Sequence, residues 1–266
     1  MLVSGTRAIV GLAVLAMTAS AEAVVLIDFG HQDTQTASEE LTGPVRYWNN
    51  VHNSGNATTN QPYGATPALS LINTDQTDSG IDLKISNTAT GGNNLNRGFD
   101  SQNINGLNPT AGNALARGYA TTATQDSLFG YTISSASFAH PTGNVTLTLS
   151  GLQAGEVYNF FGFAARNGVT DNREVLYSFQ GAGAPVNVEY QTASNTAGNT
   201  FASGDVVADL NGVIALTVSP GNDNNNSNRF TYLGVLEIVP QATVPEPATA
   251  TLLAMGGLAM LARRRK

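Results

Sequence analysis

The 266-residue sequence predicts an all-β protein: an antiparallel β-sandwich of jelly-roll or Greek-key type, flanked by an N-terminal signal peptide and a C-terminal membrane-type helix. Three observations predict it. Short segments rich in β-branched and aromatic residues recur at intervals of roughly 10 to 20 residues, with Gly, Asn, Pro and Asp between them. No stretch between Val24 and Thr243 sustains an i, i+3, i+4, i+7 apolar pattern long enough for a helix. The two ends differ from the middle in charge and hydropathy.

Residues 1–23 have the layout of a secretory signal. Arg7 is the lone early cation, "AIVGLAVLAM" (Ala8 to Met17) is an apolar run, and Ala21 and Ala23 are the small residues that a signal peptidase reads. Cleavage after Ala23 starts the mature chain at Val24; "ASA" (Ala19 to Ala21) is a competing site.

The predicted strands follow. "VVLIDF" (24–29) is almost continuously apolar, whereas "IDLKIS" (81–86) and "NVTLTLSGL" (144–152) alternate, the latter placing Val145, Leu147 and Leu149 on one face. "VYNFFGFAA" (157–165), "EVLYSFQG" (174–181), "VNVEY" (186–190), "GVIALTV" (212–218) and "YLGVLEIV" (232–239) complete the series. The polar stretches 30–80 and 88–122 are long for loops, and are expected to be binding surface or to carry short elements of their own.

The chain closes on "VPEPATATLLAMGGLAMLARRRK". Residues 241–247 read as a stiff linker, because Pro245 and Pro247 keep it extended. Residues 248–262 carry no charge and are stopped by Arg263, Arg264, Arg265 and Lys266. As a helix this run reaches about 22 Å against about 30 Å for a bilayer core, so it is a marginal span with its cations kept on the cytoplasmic side.

Pro-Glu-Pro (Pro245, Glu246, Pro247), a short apolar run and a terminal Arg cluster (Arg263, Arg264, Arg265) together resemble the PEP-CTERM sorting signal. The resemblance implies a bacterial protein exported to the cell envelope or beyond, held transiently in the inner membrane, with an exosortase-type membrane transpeptidase as partner alongside signal peptidase. It gives the organisation 1–23 signal, 24–240 sandwich, 241–247 linker and 248–266 sorting tail. A second resemblance, carried by "VVLIDFG", "YWNNV" (47–51), "LSGLQAGEVYNFFGFAARNG" (149–168), "DNREVLYSFQG" (171–181) and "FTYLGVLEI" (230–238), is to exported bacterial sandwich domains similar to galactose-binding-like or carbohydrate-binding modules.

Charge narrows the function classes. The chain is −7 overall, and the tail is +3 (four cations against Glu246), which leaves −10 for the body. A surface so short of Lys and Arg does not suit nucleic acid or a polybasic grip on lipid. The absence of cysteine excludes disulfides, thiolate nucleophiles and Cys-ligated zinc. His31, His52 and His140 stand at no metal-ligand spacing, and no G-x-S-x-G occurs.

"RNGVTDNRE" (166–174) is the candidate ligand loop: Arg166, Asn167, Asp171, Asn172 and Arg173 could bond sugar hydroxyls, with Trp48, Tyr47 or Tyr63 as the apolar platform. Against that stands a structural reading, in which an arginine pairs with a neighbouring acid and Trp48 is core. "GNDNNNSNR" (221–229) reads as a hairpin loop; starting at Asp223 it fails the EF-hand pattern at Asn228 and Gly234, which leaves a structural calcium at Asp223 as the single cofactor alternative. The expectation is a non-catalytic component that binds polysaccharide. A glycoside hydrolase, built from a pair among Asp28, Asp126, Asp171, Glu174 and Asp223, is the alternative, and a structural or adhesive protein without a discrete site is another.

Overall fold

The computed structural model describes residues 24–31, 46–53, 68–87, 117–120, 122–124, 127–130, 144–166, 168–194 and 199–241. The signal segment with Ala21 and Ala23, the sorting residues Pro245, Glu246, Pro247 and Arg263 to Arg265, and Asn167, Tyr63, Asp126 and His140 lie outside them.

Thirteen strands form among the described residues: β1 (Val25–His31), β2 (Asn49–Asn53), β3 (Leu69–Ile72), β4 (Asp78–Asn87), β5 (Leu128–Gly130), β6 (Val145–Ser150), β7 (Val157–Phe163), β8 (Glu174–Gln180), β9 (Val186–Gln191), β10 (Phe201–Val207), β11 (Ile214–Pro220), β12 (Thr231–Leu233) and β13 (Val235–Pro240). A five-stranded sheet has the order β10-β7-β13-β1-β2, and a six-stranded sheet the order β3-β4-β6-β11-β8-β9. All pairs are antiparallel except β1 with β2. The chain passes repeatedly from one sheet to the other, as in jelly rolls.

Alternation produces this architecture. In β6, β8 and β11 every second residue is buried: Val145, Leu147 and Leu149; Val175, Tyr177 and Phe179; Ile214, Leu216 and Val218. These meet Val25, Ile27, Phe29, Phe160, Leu236 and Ile238 of the facing sheet. Phe160 stacks on Phe179 at 4.8 Å and Tyr177 on Phe201 at 4.2 Å, so rings from both sheets interleave. Each fully buried large apolar side chain contributes about 1.5–3 kcal/mol.

β1 and β13 are buried on both faces, so they read as nearly continuous apolar runs interrupted by Asp28 and Glu237 on the outer face. Leu26 and Val235 point away from the main core and pack with Phe163, Trp48, Tyr119, Ala120 and Ala123 in a second cluster on the outer face of the five-stranded sheet. A 3-10 turn, Thr122–Thr124, lies against β1 there. Asn49 joins the sheets at their edge: its Nδ2 donates to Leu26 O (3.0 Å) and Ile72 O (2.8 Å), while its Oδ1 accepts from Ile72 N (2.8 Å).

Two expectations are corrected. "YLGVLEIV" is not one strand: the chain steps at Gly234, so that β12 pairs with β5 and β13 enters the centre of the five-stranded sheet. "GNDNNNSNR" is not a hairpin loop, since it joins β11 to β12, which belong to different sheets. The long polar stretches do carry short elements, β2 and β3 in the first and part of the second cluster's cover in the second.

The strand directions define two ends. One, the loop end, holds 163–174, 191–194 and 220–230. The other, the exit end, holds the turns 73–80, 151–156 and 208–212 together with both ends of the described body. There Val24 O accepts from Thr74 N (2.8 Å), and Gln241 N donates to Val157 O (2.8 Å).

Candidate functional site at the loop end

After β7 the chain makes one isolated parallel bridge, Arg166 with Ala193, and then runs to Glu174, where β8 begins. Arg166 N donates to Thr192 O (2.8 Å), and Ser194 N returns to Arg166 O (2.7 Å). This positions 171–174 beside 221–230, and the two segments interlock.

The lock is made of side chains chosen for short reach. Asp171 Oδ1 accepts from Arg173 Nε (3.0 Å), and Asp171 Oδ2 accepts from Asn226 Nδ2. Arg173 Nη1 donates to the Tyr232 hydroxyl, and its guanidinium lies over the rings of Phe230 (5.2 Å) and Tyr232 (5.9 Å). Asn225 Oδ1 accepts from Asn172 N (2.7 Å), and Asn225 N donates to Asn172 O (3.0 Å). Glu174 Oε2 accepts from Asp223 N (2.9 Å), and Asn224 Nδ2 spans Glu174 O (2.8 Å) and Phe230 O (2.9 Å). A Cβ at Gly221 would meet the Glu174 side chain within 3 Å, so a larger residue there would displace the carboxylate from Asp223 N.

Electrostatics follow from the lock. Burial pulls the Asp171 carboxyl up, but hydrogen bonds from Asn226 and Arg173 outweigh it and hold it below the usual carboxylate range. Asp171 is thus a fixed anion, suited to positioning Arg173. Asn222, Asp223, Asn225, Glu189 and Gln191 at this end are exposed, while the half-buried Phe230 ring packs edge-on to Phe129 (6.0 Å) and under Arg173. Asn222 Nδ2 donates to Glu189 Oε1 (2.5 Å), so even part of this rim is held in place. The arrangement offers exposed amide and carboxylate groups, which can hydrogen-bond hydroxyl-rich ligands.

The structure therefore brings Arg166, Asp171 and Arg173 to one end, with Asp223 on the neighbouring segment. Trp48 is elsewhere: it is 6% exposed in the second cluster, edge-on to Tyr119 at 6.1 Å. An indole so enclosed presents no face to a ligand. Among the described residues no three His, Asp or Glu side chains come together as a metal site.

Sequence reasoning missed the most strongly built polar group. Glu237, on the outer face of β13, takes Arg117 Nε on Oε2 (2.7 Å), Arg117 Nη2 on Oε1 (2.8 Å) and the Tyr119 hydroxyl on Oε2 (2.8 Å). Arg117 also lies 3.4 Å above the Phe161 ring. Burial pulls the Arg117 guanidinium down, but Glu237 outweighs it, and the net direction is up; burial and then the Glu237 charge push the Tyr119 phenol far up. Arg117 and Glu237 are 120 positions apart, which leaves no sequence signal for the pair.

Beyond the described body, residues 243–266 match the PEP-CTERM protein-sorting motif. The tail is a PEP-CTERM sorting motif. It marks the chain as an exported protein handled by a sorting system at the membrane. No curated protein matches the chain. Solved structures match in part: the ANX2 ectodomain from Arabidopsis thaliana (11% identity, 47% of this chain and 35% of that one, TM-score 0.30), a ruminal GH26 endo-β-1,4-mannanase (13%, 39% and 19%, 0.25) and an exo-β-1,3-galactanase from Phanerochaete chrysosporium (18%, 43% and 27%, 0.25). The chain spans about a third or less of their length, and likeness at this level carries no argument about function.

Proposed function

We propose that this PEP-CTERM protein is a non-catalytic component of the bacterial cell envelope or extracellular matrix, and that its loop end binds polysaccharide. The observation that carries the reading is the polarity of the body. Val24 and Gln241, the two ends of the described body, both lie at the exit end, while the exposed Asn222, Asp223 and Asn225 lie at the other. Processing by signal peptidase after Ala23 and by an exosortase-type transpeptidase at Pro245 to Pro247 belongs to the same reading. The engagement of the loop-end acids supports a binding role over hydrolysis. Asp171 is committed to Arg173 and Asn226, and its carboxyl is shifted in the direction opposite to that of a general acid.

The test combines two measurements on protein from the native host. Intact mass should show loss of the segments before Val24 and after Pro-Glu-Pro. Calorimetric titration with host exopolysaccharide should then give saturable binding, lost in an Asn222→Ala/Asn225→Ala variant. Absence of saturable binding in the wild type removes the polysaccharide reading.

A further inference from the structure

The exit end carries the one large apolar side chain that is fully exposed among the described residues. Leu210 is 94% exposed at the tip of the turn between β10 and β11. That turn is rigid: Asp209 Oδ1 accepts from Asn211 N and Val213 N (both 2.8 Å), and Gly212 N donates to Asp209 O (2.9 Å). It is also tied to the chain exit. Gly155 N donates to Ala208 O (3.1 Å) and Ala208 N to Glu156 O (2.9 Å), next to Val157, the residue that holds Gln241. Beside the exit opens a groove of about 280 Å³ whose walls include Asn73, Gln153, Tyr158 and Pro240.

Chain length limits what can read the sorting motif. Gln241 makes the last ladder bond of the body, and Pro245 follows four residues later. An extended chain covers at most about 3.6 Å per residue, so Pro245 stands within about 14 Å of Gln241. A folded domain of even 100 residues has a radius of gyration of about 13 Å. Any protein that grips Pro-Glu-Pro is therefore held within reach of the exit end.

We propose that the exit end is a second docking surface for the membrane enzyme that reads the Pro-Glu-Pro motif, with Leu210 as its apolar point of contact. The proposal rests on the sorting reading above. The charge of the surface selects a protein over lipid. The turns 73–80, 151–156 and 208–212 bear Asp75, Asp78, Glu156 and Asp209 and no cation, whereas attraction to anionic headgroups needs Lys or Arg. The partner surface is accordingly a basic rim around an apolar pocket, and the body reinforces a motif of only three residues.

The experiment follows tail removal by pulse-chase and intact mass in the native host. It uses full-length wild type, Leu210→Ser, Leu210→Lys and Leu210→Asp, each with and without a ten-residue Gly-Ser spacer inserted after Gln241. The exposure of Leu210 leaves the fold of these variants unchanged, which circular dichroism verifies. Leu210→Ser should slow removal roughly tenfold or more, since burying a leucine is worth at least that factor. Leu210→Lys should be slower still, and the spacer should make wild type and variants alike. Equal rates without the spacer overturn the proposal, as does a Leu210 effect that persists undiminished with it. A Leu210→Lys rate at or above that of Leu210→Ser assigns the contact to anionic lipid and overturns it too. If wild-type protein keeps its tail, the sorting reading itself fails, a result distinct from wild-type processing that ignores Leu210.

Discussion

Replacing Glu237 by alanine tests the account of how the 117–124 segment is held on the five-stranded sheet. Three donors converge on this carboxylate at 2.7–2.8 Å, and the side chains of Arg117 and Glu237 are 27% and 11% exposed. Removing one partner of a fully buried pair costs about 3–5 kcal/mol, because the other charge is left uncompensated. Water reaches one edge of Arg117, which lowers the expected cost to about 2–3 kcal/mol. For an m-value near 2.5 kcal/mol/M, that moves the urea midpoint down by about 1 M. Glu237→Gln keeps an acceptor and should cost about 1–1.5 kcal/mol. Arg117→Met/Glu237→Leu should cost less than the two single changes added together, since neither charge is then stranded. A Glu237→Ala midpoint within about 0.2 M of wild type, or strict additivity in the cycle, would refute the reasoning.

Asp171→Ala should destabilise the protein by about 1–2 kcal/mol and raise proteolysis between Gly221 and Phe230, because Arg173 and Asn226 lose their shared acceptor. Because the Asp171 carboxyl is lowered in the folded state, its contribution is present above the ordinary carboxylate range near pH 4 and is lost as pH falls through the folded value; Asp171→Asn should flatten that acid limb in a urea-midpoint series. The Tyr119 and Tyr177 phenols are both raised by burial, so the native state holds their protons more tightly, and stability should fall as pH rises above about 10. Trp48 is the single tryptophan of the chain, so native emission should be blue-shifted and poorly quenched by acrylamide, and should not move on addition of polysaccharide. Gly162→Ala places a Cβ within 2.7 Å of the Phe201 ring and Val235 O, and should cost about 1–3 kcal/mol in the same urea assay.

The strands that were legible in the sequence are those in which one face is core and the other solvent, such as β6, where Val145, Leu147 and Leu149 alternate with threonine and serine. β10 was not legible, because the register shift between Ala202 and Asp205 breaks its alternation around Gly204. β2 and β3 are short: β2 is paired by β1 and β3 by β4, while Asn49 ties their edges together, a link that no local pattern announces. Within the site, the pairing of Arg173 with Asp171 is a neighbour effect and could be foreseen. Its completion by Asn226, 55 residues on, and by Tyr232 depends on two connections meeting at one end of the sandwich. Trp48 was ambiguous for a related reason: the cover that encloses it comes from 117–124, which reads as polar loop.

β13 leads directly to the tail and is bonded on one side to β7 and on the other to β1. When the tail is fixed at a membrane and the loop end is pulled outward, tension enters the fold along β13, parallel to the strands. Interstrand bonds lie across that direction, so both ladders must shear together and cannot open one bond at a time. The same topology that gathers the two chain ends makes the body a stiff link under load, with its mechanical strength in the central strand and not in the loops at its tip.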